Sequence, residues 1–263
     1  VKKGESRQFW ITLQAPENIA PGKYTGEFEL TGTGCIEKIP VTAEIRPFKL
    51  LPANGYDIGF WVGFGGQTPA DIDAIVKQLS DHGMTSMGIG HFFVLNGKDE
   101  NDYSIDFNRS LVTPVMNACR KYGMRGHIHM GIDQLCRGSA LPRLVRQLDS
   151  YGKKNHWPDM LYTTYDEVPS HPEQFPAFIA SIKAVHQAGF PVIADHIWYK
   201  TSRPLQKEVD LATPNIDVFI ARFNTRRLFY VDSWEEMEAE ALRRGKKLYA
   251  YNSNNALTFA QPA

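Results

Sequence analysis

The chain has 263 residues, of which 43% are hydrophobic and 22% charged, and its formal net charge is zero. These values are ordinary for a globular protein and exclude a mainly disordered or collagen-like chain. A neutral chain gives no reason to expect nucleic acid or an anionic membrane as partner. The three cysteines have no disulfide-type or metal-type spacing, so we expect free thiols that are buried or partly buried.

The first 50 residues have the pattern of short β-strands separated by turns. Apolar and polar residues alternate over 8–14 and 24–30, a further strand is expected over 36–45, and turns containing Pro or Gly lie between them. Short strands of this kind are typical of a β-sandwich, although three or four are too few to close one. The sequence therefore predicts part of a β-sandwich domain over residues 1–50.

From residue 56 the pattern changes to strands that alternate with helices. Strands are predicted over 56–63, 84–90, 124–130, 160–165, 190–197, 216–221 and 247–251. Helices are predicted over 69–82, 109–122, 141–153 and 172–187, and from the N-cap Ser233 to residue 244. This α/β order, without a Gly-rich phosphate loop after the first strand, favours a TIM-like (β/α)8 barrel. Because no eighth strand follows, we expect a barrel over residues 56–263 that is truncated at its C-terminus.

Two adjacent carboxylates, Asp166 and Glu167, follow the predicted fourth barrel strand. Consecutive strand residues point to opposite faces, so the pair shares a site only if the backbone turns there. The next residues, Val168 and Pro169, support a turn because proline cannot continue a central strand. Two carboxylates this close cannot both ionise freely, which provides a proton donor near neutral pH. We predict that Asp166 and Glu167 are catalytic.

The ends of the other predicted strands carry aromatic and hydrogen-bonding side chains. In TIM-like barrels the active site lies at the carboxyl ends of the strands. The residues that we predict to bind substrate there are Trp61, His91, His129, Tyr165, His196, Trp198, Arg222, Asn224, Tyr249, Tyr251 and Asn252. Aromatic faces pack on the apolar C–H faces of sugars, so this set suits a carbohydrate.

A retaining glycosidase needs a second carboxylate on a different element, about 5 Å from the acid, and the ends of the predicted sixth and seventh strands offer Arg222, Asn224, Tyr251 and Asn252 but no carboxylate. Its absence favours substrate assistance, in which the 2-acetamido oxygen of the sugar attacks the anomeric carbon. An eighth strand is the other place from which such a carboxylate could come. A different interpretation rests on His127 and His129, which stand two apart on the third strand, as zinc ligands do in metal-dependent hydrolases.

Three segments resemble glycoside hydrolase family 123 and its relatives, which join a β-sandwich to a TIM-like barrel with an Asp-Glu pair after the fourth strand. The segments are 15–26, 165–169 and 245–252. The resemblance implies that Asp166 orients the acetamide and that Glu167 is general acid and then base. It also implies β-N-acetylgalactosaminidase activity on an N-acetylhexosamine glycan, no cofactor or metal, and a secreted or cell-envelope location. A non-catalytic carbohydrate-binding protein remains the alternative outside enzymes.

Overall fold

The structure is a computed structural model, and it describes residues 4–9, 11–49, 56–90, 92–165, 168, 172–195, 210–222 and 233–251. The chain divides into two compact units, Val1–Pro52 and Ala53–Ala263. No helix within the described ranges is long and apolar enough to cross a membrane.

The first unit contains one long hairpin. Strand β1 (Gly22–Gly32) pairs antiparallel with β2 (Cys35–Ile45) over its whole length. Gly34 in the connecting turn has φ of 77°, a left-handed conformation that glycine adopts without strain. The hairpin confirms the strands predicted over 24–30 and 36–45. The strand predicted over 8–14 is wrong for the described residues 8, 9 and 11–14, which form no strand, because alternation by itself does not supply a partner strand.

The second unit is built on parallel strands. Those that pair in parallel are β3 (Gly59–Val62), β4 (Ser86–Ile89), β7 (Ile128–Gly131), β8 (Met160–Thr163), β9 (Ile193–Asp195), β10 (Val218–Arg222) and β11 (Lys247–Tyr251). Between β4 and β7 lies a short antiparallel pair of two-residue strands, β5 (Leu95–Asn96) and β6 (Ser104–Ile105). The sequence did not predict this pair.

Hydrogen bonds connect the parallel strands in chain order. Strands β3, β4, β7 and β8 form one sheet, and β9, β10 and β11 form another. A bridge between Tyr162 of β8 and Val192, with a 3.0 Å bond from Tyr162 N–H to Pro191 O, joins the two sheets. The predicted series of parallel strands is thus confirmed for seven strands, which are neighbours in chain order. Within the described ranges β3 and β11 are not paired, so no closed barrel forms there, and the position expected for an eighth strand is outside these ranges.

Helices connect the parallel strands, and their bounds are α1 (Pro69–Asp81), α2 (Val112–Lys121), α3 (Leu141–Lys154), α4 (Phe175–Gln187) and α5 (Trp234–Arg243). Each of these confirms a predicted helix with its ends shifted by a few residues. The predicted N-cap is also confirmed, because the Ser233 hydroxyl accepts a 3.1 Å hydrogen bond from Glu236 N–H. Thr68 and Asp71 form a reciprocal capping box at the start of α1.

The main core lies between the sheet and the helices. On the sheet side it is made of the residues whose side chains face outward, and they are Met87, Ile89, Ile128, Met130, Met160, Tyr162, Val192, Ala194 and Phe219. These side chains alternate with inward-facing ones, as the two-residue period of a strand requires. A smaller cluster on the inward side contains Leu161, Ile193, Val218 and Ile220, with Tyr249 packed against it.

All three cysteines are free thiols. Cys119 is buried in the main core, where burial raises its pKa to about 12. Cys136 is partly buried, and burial likewise raises its pKa to about 12. The expectation of burial is wrong for Cys35, which is exposed, because it lies in the first unit at the turn of a hairpin with little cover.

Candidate functional site

The inward face of the sheet carries a row of side chains that meet across neighbouring strands. Trp61 of β3 is in register with Gly88 of β4, Gly88 with His129 of β7, and His129 with Leu161 of β8. Residues in register on parallel strands project to the same face. The row therefore begins with a large indole, passes over a glycine, and continues with an imidazole and an aliphatic side chain.

The indole of Trp61 lies over three glycines, which we call the glycine cradle: Gly88, Gly90 and Gly131. A Cβ atom on Gly88 would overlap the Cε3 atom of Trp61, and one on Gly90 would lie 3.4 Å from Cζ2. A Cβ on Gly131 would lie 3.8 Å from the Cη2 atom of the indole. The ring thus crosses two neighbouring strands at close range, and this approach is possible only where no side chain projects.

The indole of Trp61 is supported on one side and open on the other. Trp61 is 56% exposed although its ring packs on the glycine cradle. An aromatic ring that packs on a glycine surface and stays largely exposed is a suitable platform for an apolar ligand face, such as the C–H face of a sugar ring.

A carboxylate network lies at the amino ends of the strands. Asp57, two residues before β3, accepts hydrogen bonds from His127 N–H at 3.1 Å and from His127 Nδ1 at 2.8 Å. The hydroxyl of Tyr249, from the middle of β11, donates to the same carboxylate. Asp57 therefore links the first, third and last parallel strands, and its side chain is only 12% exposed.

The electrostatics of this network fix the protonation of Asp57 and Tyr249. Burial raises the pKa of the Asp57 carboxyl, but hydrogen bonds from Tyr249 and His127, with the charge of His127, outweigh burial and leave the pKa below its ordinary value. Burial raises the pKa of the Tyr249 phenol well above its ordinary value, and the hydrogen bond to Asp57 and the charge of that carboxylate add to the rise. At neutral pH a protonated phenol therefore donates to an ionised carboxylate.

The ring of Tyr249 stacks against His129, with centroids 5.4 Å apart and planes inclined by 21°. Its other neighbours are the aliphatic side chains of the inward cluster. His129 and Tyr249 together form what we call the His129–Tyr249 wall. The Tyr249 hydroxyl donates its hydrogen bond to Asp57, so a ligand that contacted Tyr249 would meet its ring.

The predicted position of His127 at the carboxyl end of its strand is wrong. Strand β7 begins at Ile128, so His127 precedes it at the amino end and bonds to Asp57. The predicted strand over 124–130 began too early, which placed His127 within the strand, whereas His129 does lie in β7. The described part of the chain contains no cluster of three His, Cys, Asp or Glu side chains that could hold a metal ion.

Tyr165 also differs from its expected place at the barrel mouth. It follows β8, and its ring packs edge-to-face on Phe178 of α4, with centroids 6.5 Å apart. Burial raises the pKa of its phenol, and a hydrogen bond with Ser181 offsets part of that rise. The side chain thus belongs to the layer between sheet and helices, because the chain changes direction as soon as β8 ends at Thr163.

Several predicted site residues lie outside the part of the chain that the structure describes. The two predicted catalytic residues are among them, and the full set is His91, Asp166, Glu167, His196, Trp198, Asn224 and Asn252. Arg222 and Tyr251 are the last residues of β10 and β11, and only their backbone positions are described. Of the predicted substrate-binding residues, the structure brings Trp61, His129 and Tyr249 to the inward face.

Sequence reasoning missed Asp57. Its signal was a single carboxylate in the run Tyr56-Asp-Ile-Gly just before a predicted strand, where a charge that becomes buried needs a partner. Its partners are 70 and 192 residues away, so no local pattern identified them.

Comparisons with known proteins find likeness in fold only. No protein-family profile and no curated protein matches the chain. Among solved structures, a family 39 glycoside hydrolase from Bacteroides cellulosilyticus WH2 has a TM-score of 0.52 at 13% identity, with 88% of this chain and 55% of that chain covered. A mandelate racemase/muconate lactonizing enzyme from Roseiflexus sp. has a TM-score of 0.48 at 14% identity, covering 78% and 50%.

A mandelate racemase/muconate lactonizing protein from Herpetosiphon aurantiacus has a TM-score of 0.43 at 16% identity, with 74% and 46% covered. The chain thus spans about half the length of the solved structures that it matches. The likeness to the family 39 enzyme, at 13% identity, shows a class of fold, an α/β protein with a parallel sheet of the TIM-barrel type.

Proposed function

We propose that this protein is a glycoside hydrolase that cleaves β-linked N-acetylhexosamine, with N-acetylgalactosamine as the first sugar to test. The observation that carries the proposal is the Trp61 platform, an open indole face held by the glycine cradle on the inward side of a parallel sheet. A ring that is supported on one face and open on the other fits the flat apolar face of a pyranose.

The proposed catalytic pair fits this platform in its position along the chain. Strand β8 ends at Thr163, so Asp166 and Glu167 follow the carboxyl end of a central strand by three and four residues. In barrels of this type the carboxyl ends of the strands carry the chemistry. The family 39 neighbour supports the fold in which such a pair is placed, and the roles of the two residues remain those implied by the resemblance to family 123.

In the proposed first step, the acetamide oxygen of the sugar forms a bond to the anomeric carbon while the bond to the leaving oxygen breaks. Glu167 donates a proton to that leaving oxygen, and Asp166 accepts a hydrogen bond from the acetamide N–H to orient it. In the second step, water attacks the anomeric carbon of the oxazoline, Glu167 takes the proton of the water, and the acetamide is restored. Two inversions at the same carbon give net retention.

The test is hydrolysis of aryl β-N-acetylgalactosaminides and aryl β-N-acetylglucosaminides by the whole chain. Glu167→Gln should lower kcat by about 10²- to 10⁴-fold, because it removes the proton donor while keeping the shape of the side chain. A matched control is Glu235→Gln, which changes an exposed residue of α5 and should leave kcat unchanged. A thiazoline inhibitor should compete with the substrate if the acetamide takes part.

The alternative functions give different outcomes of the same assay. Loss of hydrolysis with a chelator, and its return with added zinc, would replace the proposal by a metal-dependent hydrolase. If the folded wild-type protein binds the sugar but does not hydrolyse it, the proposed glycosidase would be replaced by a carbohydrate-binding protein.

A further inference from the structure

We propose that Asp57 is a positioning residue, which acts through the Tyr249 hydroxyl to hold the His129–Tyr249 wall in the orientation that binds the sugar. This inference rests on the proposed function, since it concerns the substrate site on the same inward face. Asp57 itself lies at the amino ends of the strands and is not placed to touch the substrate.

Asp57 accepts three hydrogen bonds. One carboxylate accepts from the His127 backbone, from His127 Nδ1 and from the Tyr249 hydroxyl. A Cβ atom on Gly126 would collide with Oδ1 of Asp57, so the sequence leaves room for the carboxylate at this point. Because His127 donates two of the three bonds, from its backbone and from its ring, the carboxylate has little freedom to move and holds the Tyr249 hydroxyl in place.

The ring of Tyr249 connects two parts of the inward face. Its ring stacks on His129 and packs on the aliphatic inward cluster. It therefore lies between the aliphatic part of the inward face and the row that contains His129 and Trp61. The hydroxyl is the only polar group of this side chain, so Asp57 sets how far the ring extends into the interior.

Tyr249 also joins two strands that share no backbone pairing within the described ranges. Strands β3 and β11 share no backbone pairing in the described ranges, yet Tyr249 of β11 bonds to Asp57 just before β3. A side-chain bond thus does here what a hydrogen-bond ladder does between the other strands. Without the bond, the Tyr249 ring would keep its apolar contacts but lose the constraint on its rotamer.

The kinetic experiment uses Asp57→Asn, Tyr249→Phe and the double variant with the aryl β-N-acetylhexosaminide that the wild-type protein cleaves. If the wall binds the sugar with the same affinity in the ground state and in the transition state, Asp57→Asn should raise KM by about 10- to 100-fold and leave kcat nearly unchanged. Tyr249→Phe removes the same bond and should give a similar rise. The double variant should be no worse than either single variant, because both remove one interaction.

A matched control is Asp217→Asn. Asp217 also accepts from a backbone N–H, that of Val192 at 2.8 Å, and also pairs with a histidine, His186 at 3.4 Å. It precedes β10 as Asp57 precedes β3, but none of these partners belongs to the His129–Tyr249 wall. Its variant should leave KM unchanged.

Three results would overturn the inference. The first is an unchanged KM in Asp57→Asn. The second is a double variant whose rise in KM is the product of the two single rises. The third is a fall in kcat alone that follows the fall in melting temperature, as a purely structural role would give.

A second measurement separates this inference from the proposed function. In protein labelled with ¹³C at tyrosine Cζ, the Tyr249 resonance is assigned by its loss in Tyr249→Phe. It should shift in Asp57→Asn and stay in place in Asp217→Asn. If the wild-type protein cleaves no aryl glycoside, the proposed function fails, and an unshifted Tyr249 resonance in Asp57→Asn would overturn the positioning role independently.

Discussion

The two faces of the parallel sheet come from the same strands, but they are built to different rules. The outward face packs a continuous layer of large apolar side chains against the helices. The inward face has an aliphatic cluster on β8, β9 and β10, and aromatic and polar side chains on β3, β7 and β11. The outward face therefore has the composition that folding alone requires, whereas part of the inward face carries groups that folding alone does not explain.

The difference shows where selection for something other than stability can act. An exposed indole over the glycine cradle and a buried carboxylate with three donors both cost the folded state more than a packed aliphatic layer would. Features of this kind are expected at functional sites, where local rules are broken for chemistry. The outward and inward faces should therefore respond differently to substitution.

The largest effect is expected from Phe219→Ala. Phe219 of β10 is fully buried on the outward face, and its truncation should lower the free energy of unfolding by about 3–5 kcal/mol through lost burial and a cavity. The matched variant is Phe60→Ala on the same face of β3, where the ring is 60% exposed, and its cost should be about 1 kcal/mol or less. Urea unfolding measures both, and equal costs would mean that β3 is covered as β10 is.

The next effect concerns the glycine cradle. Gly88→Ala places a methyl group where the Trp61 indole lies, so the ring must move, at a cost of about 1–3 kcal/mol. Sugar binding should weaken with it. The control is Gly63→Ala, because a Cβ there meets nothing within 4 Å and its φ is not positive. Tryptophan fluorescence reports the movement of the ring, and a sugar titration measures the affinity. An unchanged affinity in Gly88→Ala would show that Trp61 does not contact the sugar.

A smaller and pH-dependent effect is expected from the Asp57 carboxylate. Its pKa in the folded state is lowered relative to about 3.9 in an unfolded chain. The stability that it contributes is therefore fully present above about pH 4 and is lost as pH falls through the folded-state pKa. The difference in unfolding free energy between wild type and Asp57→Asn should be larger at pH 7 than at pH 3. If the difference in unfolding free energy does not change with pH, the charge of Asp57 does not stabilise the folded protein.

The smallest effect is expected from Glu240→Gln, on a helix outside both faces. Arg243 and Arg244 both bond to Glu240 at 2.6 Å, and these bonds lower its pKa to about 2. Ion pairs at a protein surface contribute about 0–1 kcal/mol, and this contribution is lost as pH falls from about 4 towards 2. Thermal unfolding at low salt and at 1 M salt should show a small difference that salt removes.

Much of the second unit was predictable from local pattern. The helix over 69–81 was readable from its apolar spacing and from Pro69 at its first turn, and the N-cap Ser233 from Glu236 three residues later. These signals work because a helix is stabilised by neighbours three and four residues apart. The seven parallel strands followed from repeated apolar runs between those helices.

The positions of His127 and Tyr165 were not predictable in the same way. A strand start that is misplaced by a few residues moves a side chain from the carboxyl end of the sheet to the amino end. That error assigned His127 to the mouth, whereas it lies at the amino end of β7. Tyr165 was misplaced because the sequence does not show that the chain turns towards α4 right after β8.

The sequence by itself determined which segments are helices and strands and which side chains alternate along them, because those properties depend on residues a few positions apart. Only the tertiary structure decided that Asp57 meets Tyr249, 192 residues away, and that Trp61 lies across Gly88 and Gly131. Such meetings depend on strand register and on how the sheet curls, which arise when the whole inward face packs and which no short segment encodes.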